Sequence, residues 1–174
     1  IRFFSIIGLP LSQGYGMTEV AGCVFVQTPG HFRLGGCGLP IDGTVFEIAD
    51  DGEILLGGPA VFKGYFRDAK ATADTMQNGL LLSGDVVDVL DNGEIAVVDR
   101  KKAIIITSGG KNIAPSEIEN ALKDSPYIKE VIVTGDGRKF LGALIVIDFD
   151  NVGLWASERS LPYTTYKSLS QLDD

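Results

Sequence analysis

Three short stretches hold the side chains best suited to chemistry. In Gln13-Gly-Tyr-Gly-Met-Thr-Glu19, two glycines flank a tyrosine. Gly14 and Gly16 let the backbone come close to a flat ligand, and the Tyr15 ring offers a stacking face. Thr18 could donate to a phosphate oxygen, and Glu19 is the kind of ligand that holds a hard cation such as Mg²⁺. Taken alone, the stretch also reads as a turn with a solvated glutamate. Ser83-Gly-Asp85 follows the apolar run Leu80-Leu-Leu82. A carboxylate there could accept from both hydroxyls of a ribose, although a strand-end turn has the same look. The third stretch is Asp99-Arg-Lys-Lys-Ala103 followed by Thr107-Ser-Gly-Gly-Lys-Asn112. Arg100 can fork onto ribose or phosphate oxygens. The Gly109-Gly110 turn exposes N–H groups and Lys111 adds a point charge, which suits a phosphorylated or pantetheine-bearing ligand. A solvated basic hairpin is the plainer reading. His31, the only histidine, has no visible triad partner and reads as a loop residue.

The elements that must position these residues are short. Thr44–Ala49 and Glu53–Leu56 are strand-like runs joined by Asp50-Asp51-Gly52, and Asp91-Asn92-Gly93 joins Val86–Leu90 to Glu94–Val98 in the same way. Two hairpins with abundant Gly and Pro predict a small antiparallel sheet or distorted barrel. Asp68–Met76 reads as a helix closed by Asn78-Gly79. After Arg100 the texture changes. Ala103–Thr107 is an apolar strand, and Pro115–Lys123 a helix with Ile118, Ala121 and Leu122 on one face. Strands follow over Ile128–Val133 and Phe140–Ile147, then helices around Asn151–Ser157 and from Thr165 onward. The whole is α+β: a β-rich, barrel-like part, then a small α+β sandwich, with the boundary near Asp99–Lys102.

Composition narrows the classes. Fifteen basic against 23 acidic residues leave a charge of −8, the wrong sign for a nucleic-acid binder. Cys23 and Cys37 make neither a disulfide framework nor a zinc site and read as reduced, partly buried thiols. No apolar run approaches the roughly 20 residues of a bilayer span. The start, Ile1-Arg-Phe-Phe-Ser-Ile-Ile-Gly8, lacks Met and the order of a signal peptide, so the chain reads as beginning mid-protein. Charge and reduced thiols favour the cytoplasm, with peripheral membrane contact.

Order and spacing join the motifs. Gly14–Glu19, then Gly52-Glu-Ile-Leu-Leu-Gly-Gly-Pro-Ala-Val-Phe-Lys-Gly-Tyr65, Ser83–Asp85, Asp99–Lys102 and Gly109–Glu119 resemble the adenylate-forming, AMP-binding superfamily. The texture around Ile7–Gly16 and Gly109–Pro115 is most similar to long-chain fatty-acid–CoA ligases. The resemblance implies a two-step reaction that uses ATP, Mg²⁺ and coenzyme A to convert a fatty acid through acyl-AMP to acyl-CoA. It implies Tyr15 on adenine, Thr18 on the α-phosphate, Glu19 on Mg²⁺, Asp85 on the ribose and Arg100 on ribose or phosphate. Lys102 falls at the family's hinge. Residues 1–99 would then be the last part of the large AMP-binding domain, and 100–174 the hinge and part of the C-terminal lid.

Three departures stand out. The family's Gly/Ser/Thr-rich phosphate loop is not found, its terminal catalytic lysine would lie past Asp174, and Ala103 replaces an acidic residue common after the hinge. The chain is therefore expected to be inactive alone. An enzyme that loads a carrier-protein thiol, and a non-catalytic nucleotide- or acyl-binding remnant, are the alternatives. Acyl chain length and oligomeric state are not encoded in these residues.

Overall fold

Hairpin turns organise the first hundred residues. The computed structural model describes residues 2–170, and the chain divides into one unit ending at Lys102 and another beginning at Ala103. The first unit opens with α1 (Arg2–Ile6). Next come β1 (Gly14–Met17), β2 (Gly22–Val26) and β3 (Leu39–Pro40), an antiparallel sheet with β2 in the centre. A 3₁₀ turn over Thr18–Val20 separates β1 from β2, and Ala21 reverses the chain at φ 59°.

The second sheet contains β4 (Val45–Ile48), β5 (Glu53–Gly57) and, after α2 (Ala69–Thr75), β6 (Met76–Gln77), β7 (Leu80–Val89) and β8 (Ile95–Arg100). Its order is β4-β5-β7-β6, with β8 also on β7, all antiparallel. Strand β7 is long enough to pair β6 through Leu80 and Leu81 and β8 through Asp85–Val89. Both expected hairpins form, with Gly52 and Gly93 each at φ 83°. Asn78-Gly79 acts differently from the helix stop the sequence predicts. The helix ends at Thr75, and these two residues, both at positive φ, form the tight turn between β6 and β7. The sheets stay open and do not close into a barrel.

Strand alternation sets what faces inward. On β7 the buried residues are Leu81, Ser83, Asp85 and Val87, every second position. Leu81 and Val87 join Tyr15, Val20, Val24, Phe25, Ile54, Leu56 and Ile95 in one core. Phe25 is fully buried, edge-to-face with Phe46 at 5.2 Å. The pleat thus points two polar side chains, Ser83 and Asp85, at an apolar core.

The second unit is built separately. A short hairpin of β9 (Ile105–Ile106) and β10 (Asn112–Ile113) stands where a longer strand was expected. Helix α3 (Pro115–Lys123) follows, with Pro at its start, and Ile118 and Leu122 pack toward Ile105, Val131 and Val133. Then come β11 (Ile128–Thr134) and β12 (Gly142–Ile147), paired antiparallel. Helix α4 (Phe149–Glu158) starts ahead of Asn151 because Asp148 caps it by accepting from the Asn151 N–H. Thr165 begins α5 (Tyr166–Leu169) through a capping box. No helix of the described residues is long and apolar enough to cross a membrane.

Phe25 projects from β2 into the core shared with the second sheet, so Phe25→Ala should destabilise the protein by about 3–5 kcal/mol. Urea unfolding followed by circular dichroism checks this.

Candidate functional site

Strand β1 alternates, and its one fully inward residue is Tyr15. The ring is only 7% exposed and lies 6.1 Å from Phe25. Its hydroxyl donates to Asp85 Oδ2 at 2.8 Å, across 70 residues of sequence. Asp85 is itself 8% exposed. Its other oxygen, Oδ1, accepts from Arg100 Nη1 at 2.7 Å, and the same nitrogen donates to the Ser83 carbonyl at 3.1 Å. The β7–β8 register makes Asp85 and Arg100 direct cross-strand partners. Three sequence-predicted residues therefore meet around one carboxylate.

The electrostatics follow from burial. Desolvation, then the hydrogen bond to Asp85, holds the Tyr15 phenol far above its ordinary value of 10. The hydrogen bond and charge of Asp85 push the Arg100 guanidinium up from its already high value. Each Asp85 oxygen has one lone-pair direction left beyond its donor, so the carboxylate can still accept from a diol. Arg100 is mostly exposed and faces water as well as Asp85.

Glu19 stands on the Thr18–Val20 turn, half-buried, with Thr18 exposed beside it. Tyr65, which carried no assigned role in the sequence, donates its hydroxyl to Glu19 Oε1 at 2.7 Å. The Glu19 carbonyl accepts from the Phe62 N–H at 2.7 Å, and the Phe62 and Tyr65 rings meet edge-to-face. Among the described residues no three His, Cys, Asp or Glu side chains cluster as a metal site. A single carboxylate suits Mg²⁺ that arrives on a nucleotide's phosphates and keeps most of its ligands from them and from water.

The glycines of the first motif also serve the packing of β1 on β2. A Cβ on Gly16 would run into the Gly22 carbonyl, and one on Gly14 would lie 3.0 Å from the Phe25 carbonyl. On the side where a Cβ would project, both positions are filled by β2. In the second unit, Gly109, Gly110 and Lys111 form the β9–β10 turn. The Gly110 N–H bonds the Thr107 carbonyl and the Lys111 N–H the Thr107 hydroxyl, so the turn satisfies those two donors itself. Lys102 ends the first unit, and its ammonium has no hydrogen bond or ion pair among the described residues. His31 lies in a turn that bonds back to Thr28. Cys37 is buried, which pushes its thiol pKa up, whereas Cys23 is exposed rather than partly buried.

A second polar cluster escaped the sequence reading. Glu94 is fully buried and accepts from Gln27 Nε2 at 2.9 Å, Gly38 N–H at 3.1 Å and Asn92 Nδ2 at 2.7 Å. Gln27 in turn accepts from the Gln13 N–H at 3.1 Å, one residue before Gly14. No periodicity marks a glutamate destined for the core.

Comparison with known proteins agrees with the motif order. The profile of the AMP-binding enzyme family matches residues 1–66, and that of the AMP-binding enzyme C-terminal domain matches residues 102–160. The chain belongs to the AMP-binding enzyme family. The long-chain-fatty-acid–CoA ligase FadD15 of Mycobacterium bovis is 39% identical over 91% of this chain and 26% of its own length. Human long-chain-fatty-acid–CoA ligase 1 is 34% identical over 88% of this chain and 24% of its own. The chain thus spans about a quarter of these curated relatives. Among solved structures, Bacillus subtilis o-succinylbenzoate-CoA synthetase with its acyl-adenylate OSB-AMP matches with a TM-score of 0.75. That match is 30% identical and covers 95% of this chain and 37% of the synthetase.

Two measurements check this geometry. In an ultraviolet titration of the five tyrosines, Tyr15 should ionise last, and Tyr15→Phe should remove that late step. Because the folded-state pKa is raised, the stability it contributes is complete below pH 10 and is lost as the pH climbs beyond. Gly16→Ala should cost about 3 kcal/mol through overpacking of β1 on β2, read from thermal unfolding.

Proposed function

We propose that this chain is the ribose-binding end of the large domain, with the hinge and part of the lid, of an ATP-dependent long-chain fatty-acid–CoA ligase. The observation that carries the reading is Asp85, a buried carboxylate held by Tyr15 and Arg100 with acceptor capacity to spare. Family membership and the ligases among the relatives support it.

In this reading a fatty-acid carboxylate oxygen attacks the α-phosphorus of ATP. The bond to the bridging oxygen breaks, pyrophosphate leaves, and acyl-AMP forms. A coenzyme A thiolate then attacks the acyl carbon and AMP departs with the electron pair. This chain's own residues bind and orient. Asp85 takes the ribose hydroxyls, and Arg100 braces the ribose or a phosphate oxygen. Thr18 donates to the α-phosphate, Glu19 supplies one ligand to Mg²⁺, and Tyr15 supplies the contact with adenine. Lys102 is the pivot, and Gly109, Gly110 and Lys111 meet coenzyme A from the lid. Such a reaction needs charge stabilisation and alignment more than a protein nucleophile. The protein acts in the cytoplasm and reaches its lipid substrate at a membrane surface.

The test is fatty-acid-dependent exchange of pyrophosphate into ATP by the whole protein, followed by trapping of the acyl group. Exchange strongest with long-chain acids and acyl transfer to coenzyme A are expected, and Glu19→Gln should lower exchange about 10²-fold. The 174-residue chain alone should form no acyl-AMP. Transfer only to a carrier-protein thiol would replace the acceptor, and absence of exchange by the whole protein would leave a binding remnant.

A further inference from the structure

Strand β8 runs into two consecutive cations that grip one kink from different sides. Arg100 takes Asp85. The next residue, Lys101, places Nζ 2.6 Å from Asp51 Oδ2 and 2.6 Å from Glu53 Oε2. Glu53 is 4% exposed, an unusual place for a carboxylate without a cation. Its other oxygen accepts from the Gly84 N–H at 2.8 Å, while the Lys101 N–H donates to the Gly84 carbonyl at 2.8 Å. Gly84, at φ 72°, is therefore fastened at both its N–H and its carbonyl, directly before Asp85. The β5–β7 register slips across this segment, between the Leu82 and Val86 pairs, and the β7–β8 register slips just after it, between Val86 and Val87.

We infer that Glu53 and Lys101 are positioning residues that lock the Gly84 kink and so aim Asp85 and Arg100 at the nucleotide, an inference that rests on the ribose role proposed for Asp85. Removing the ammonium leaves the Glu53 charge buried with only one amide donor. Its cheapest relief is to turn toward water, which frees the Gly84 N–H. The kink then relaxes, and Asp85 loses its alignment with Arg100. Asp51 and Glu53 come from the tip of the β4–β5 hairpin, so the clamp also ties that hairpin to the last residues before the hinge. The chain is held through Lys101, and Lys102 is the first residue beyond the clamp.

The experiment is amide hydrogen exchange and carboxyl ¹³C NMR on the 174-residue chain, with an AMP titration alongside. Lys101→Met should speed exchange at Gly84 about tenfold or more while Phe25 and Ile95 keep their protection. The Asp85 carboxyl resonance should shift, and Lys101→Arg should restore both signals. AMP affinity should fall about tenfold with the misalignment. Asp51→Asn, an exposed change that spares the fold, should move Gly84 in the same direction and serves if Lys101→Met does not fold. Unchanged Gly84 exchange in the variant that folds, or equal acceleration at Gly84, Phe25 and Ile95, overturns the clamp. Failure of the unaltered chain to bind AMP would remove the ribose role, while the Gly84 and Asp85 signals still decide the clamp.

Discussion

A carboxylate withdrawn from water must find donors, and Asp85 finds one on each oxygen. The phenol of Tyr15 serves one side from the core, and the guanidinium of Arg100 serves the other from the solvent edge. Much of the first unit follows from satisfying that charge. Strand β1 must bring Tyr15 inward, which requires β2 to cross it so closely that Gly16 can carry no side chain. Strand β8 must pair with β7 in the register that sets Arg100 beside Asp85. Burying a charge on the inward face of β7, between Leu81 and Val87, weakens the core locally, and two charge-assisted contacts offset that cost.

On the ribose role proposed for Asp85, such an arrangement serves recognition rather than stability. A hydrophobic residue at position 85 would suit the inward face of β7 better, as Leu81 and Val87 show. The charge is kept oriented and partly desolvated, where a hydrogen bond to a sugar hydroxyl is stronger than in bulk water. Glu19 repeats the pattern on a smaller scale. Tyr65 fixes one of its oxygens and leaves the other for a ligand. In both cases a tyrosine hydroxyl orients the acid.

What the amino-acid sequence revealed was local. Hairpins at Gly52 and Gly93 and the helix from Pro115 could be read because turn chemistry and periodicity act within a few residues, whereas the continuous β7 with its inward Ser83 and Asp85 was read as two runs around a turn. Asn78-Gly79 misled because one dipeptide serves both as a helix stop and as a hairpin turn. Barrel closure misled because paired hairpins fix neighbours but not the meeting of sheet edges. The partners of Glu19, Glu53 and Glu94 were invisible for a different reason. Tyr65 lies 46 residues from Glu19, Lys101 lies 48 from Glu53, and Gln27 lies 67 from Glu94. No spacing rule links residues that only the folded sheet brings together. Motif order marked Tyr15, Asp85 and Arg100 as chemistry, but not that they touch.

The central claim is that Asp85 reads a ribose diol. The most direct measurement compares AMP with 2′,3′-dideoxy-AMP by isothermal titration on this chain and on Asp85→Asn. AMP should bind about tenfold tighter than the dideoxy nucleotide, as hydrogen bonds to a charged group require. The difference should vanish in Asp85→Asn. Equal affinity of the unaltered chain for the two nucleotides, or a preference that survives in Asp85→Asn, would contradict the account.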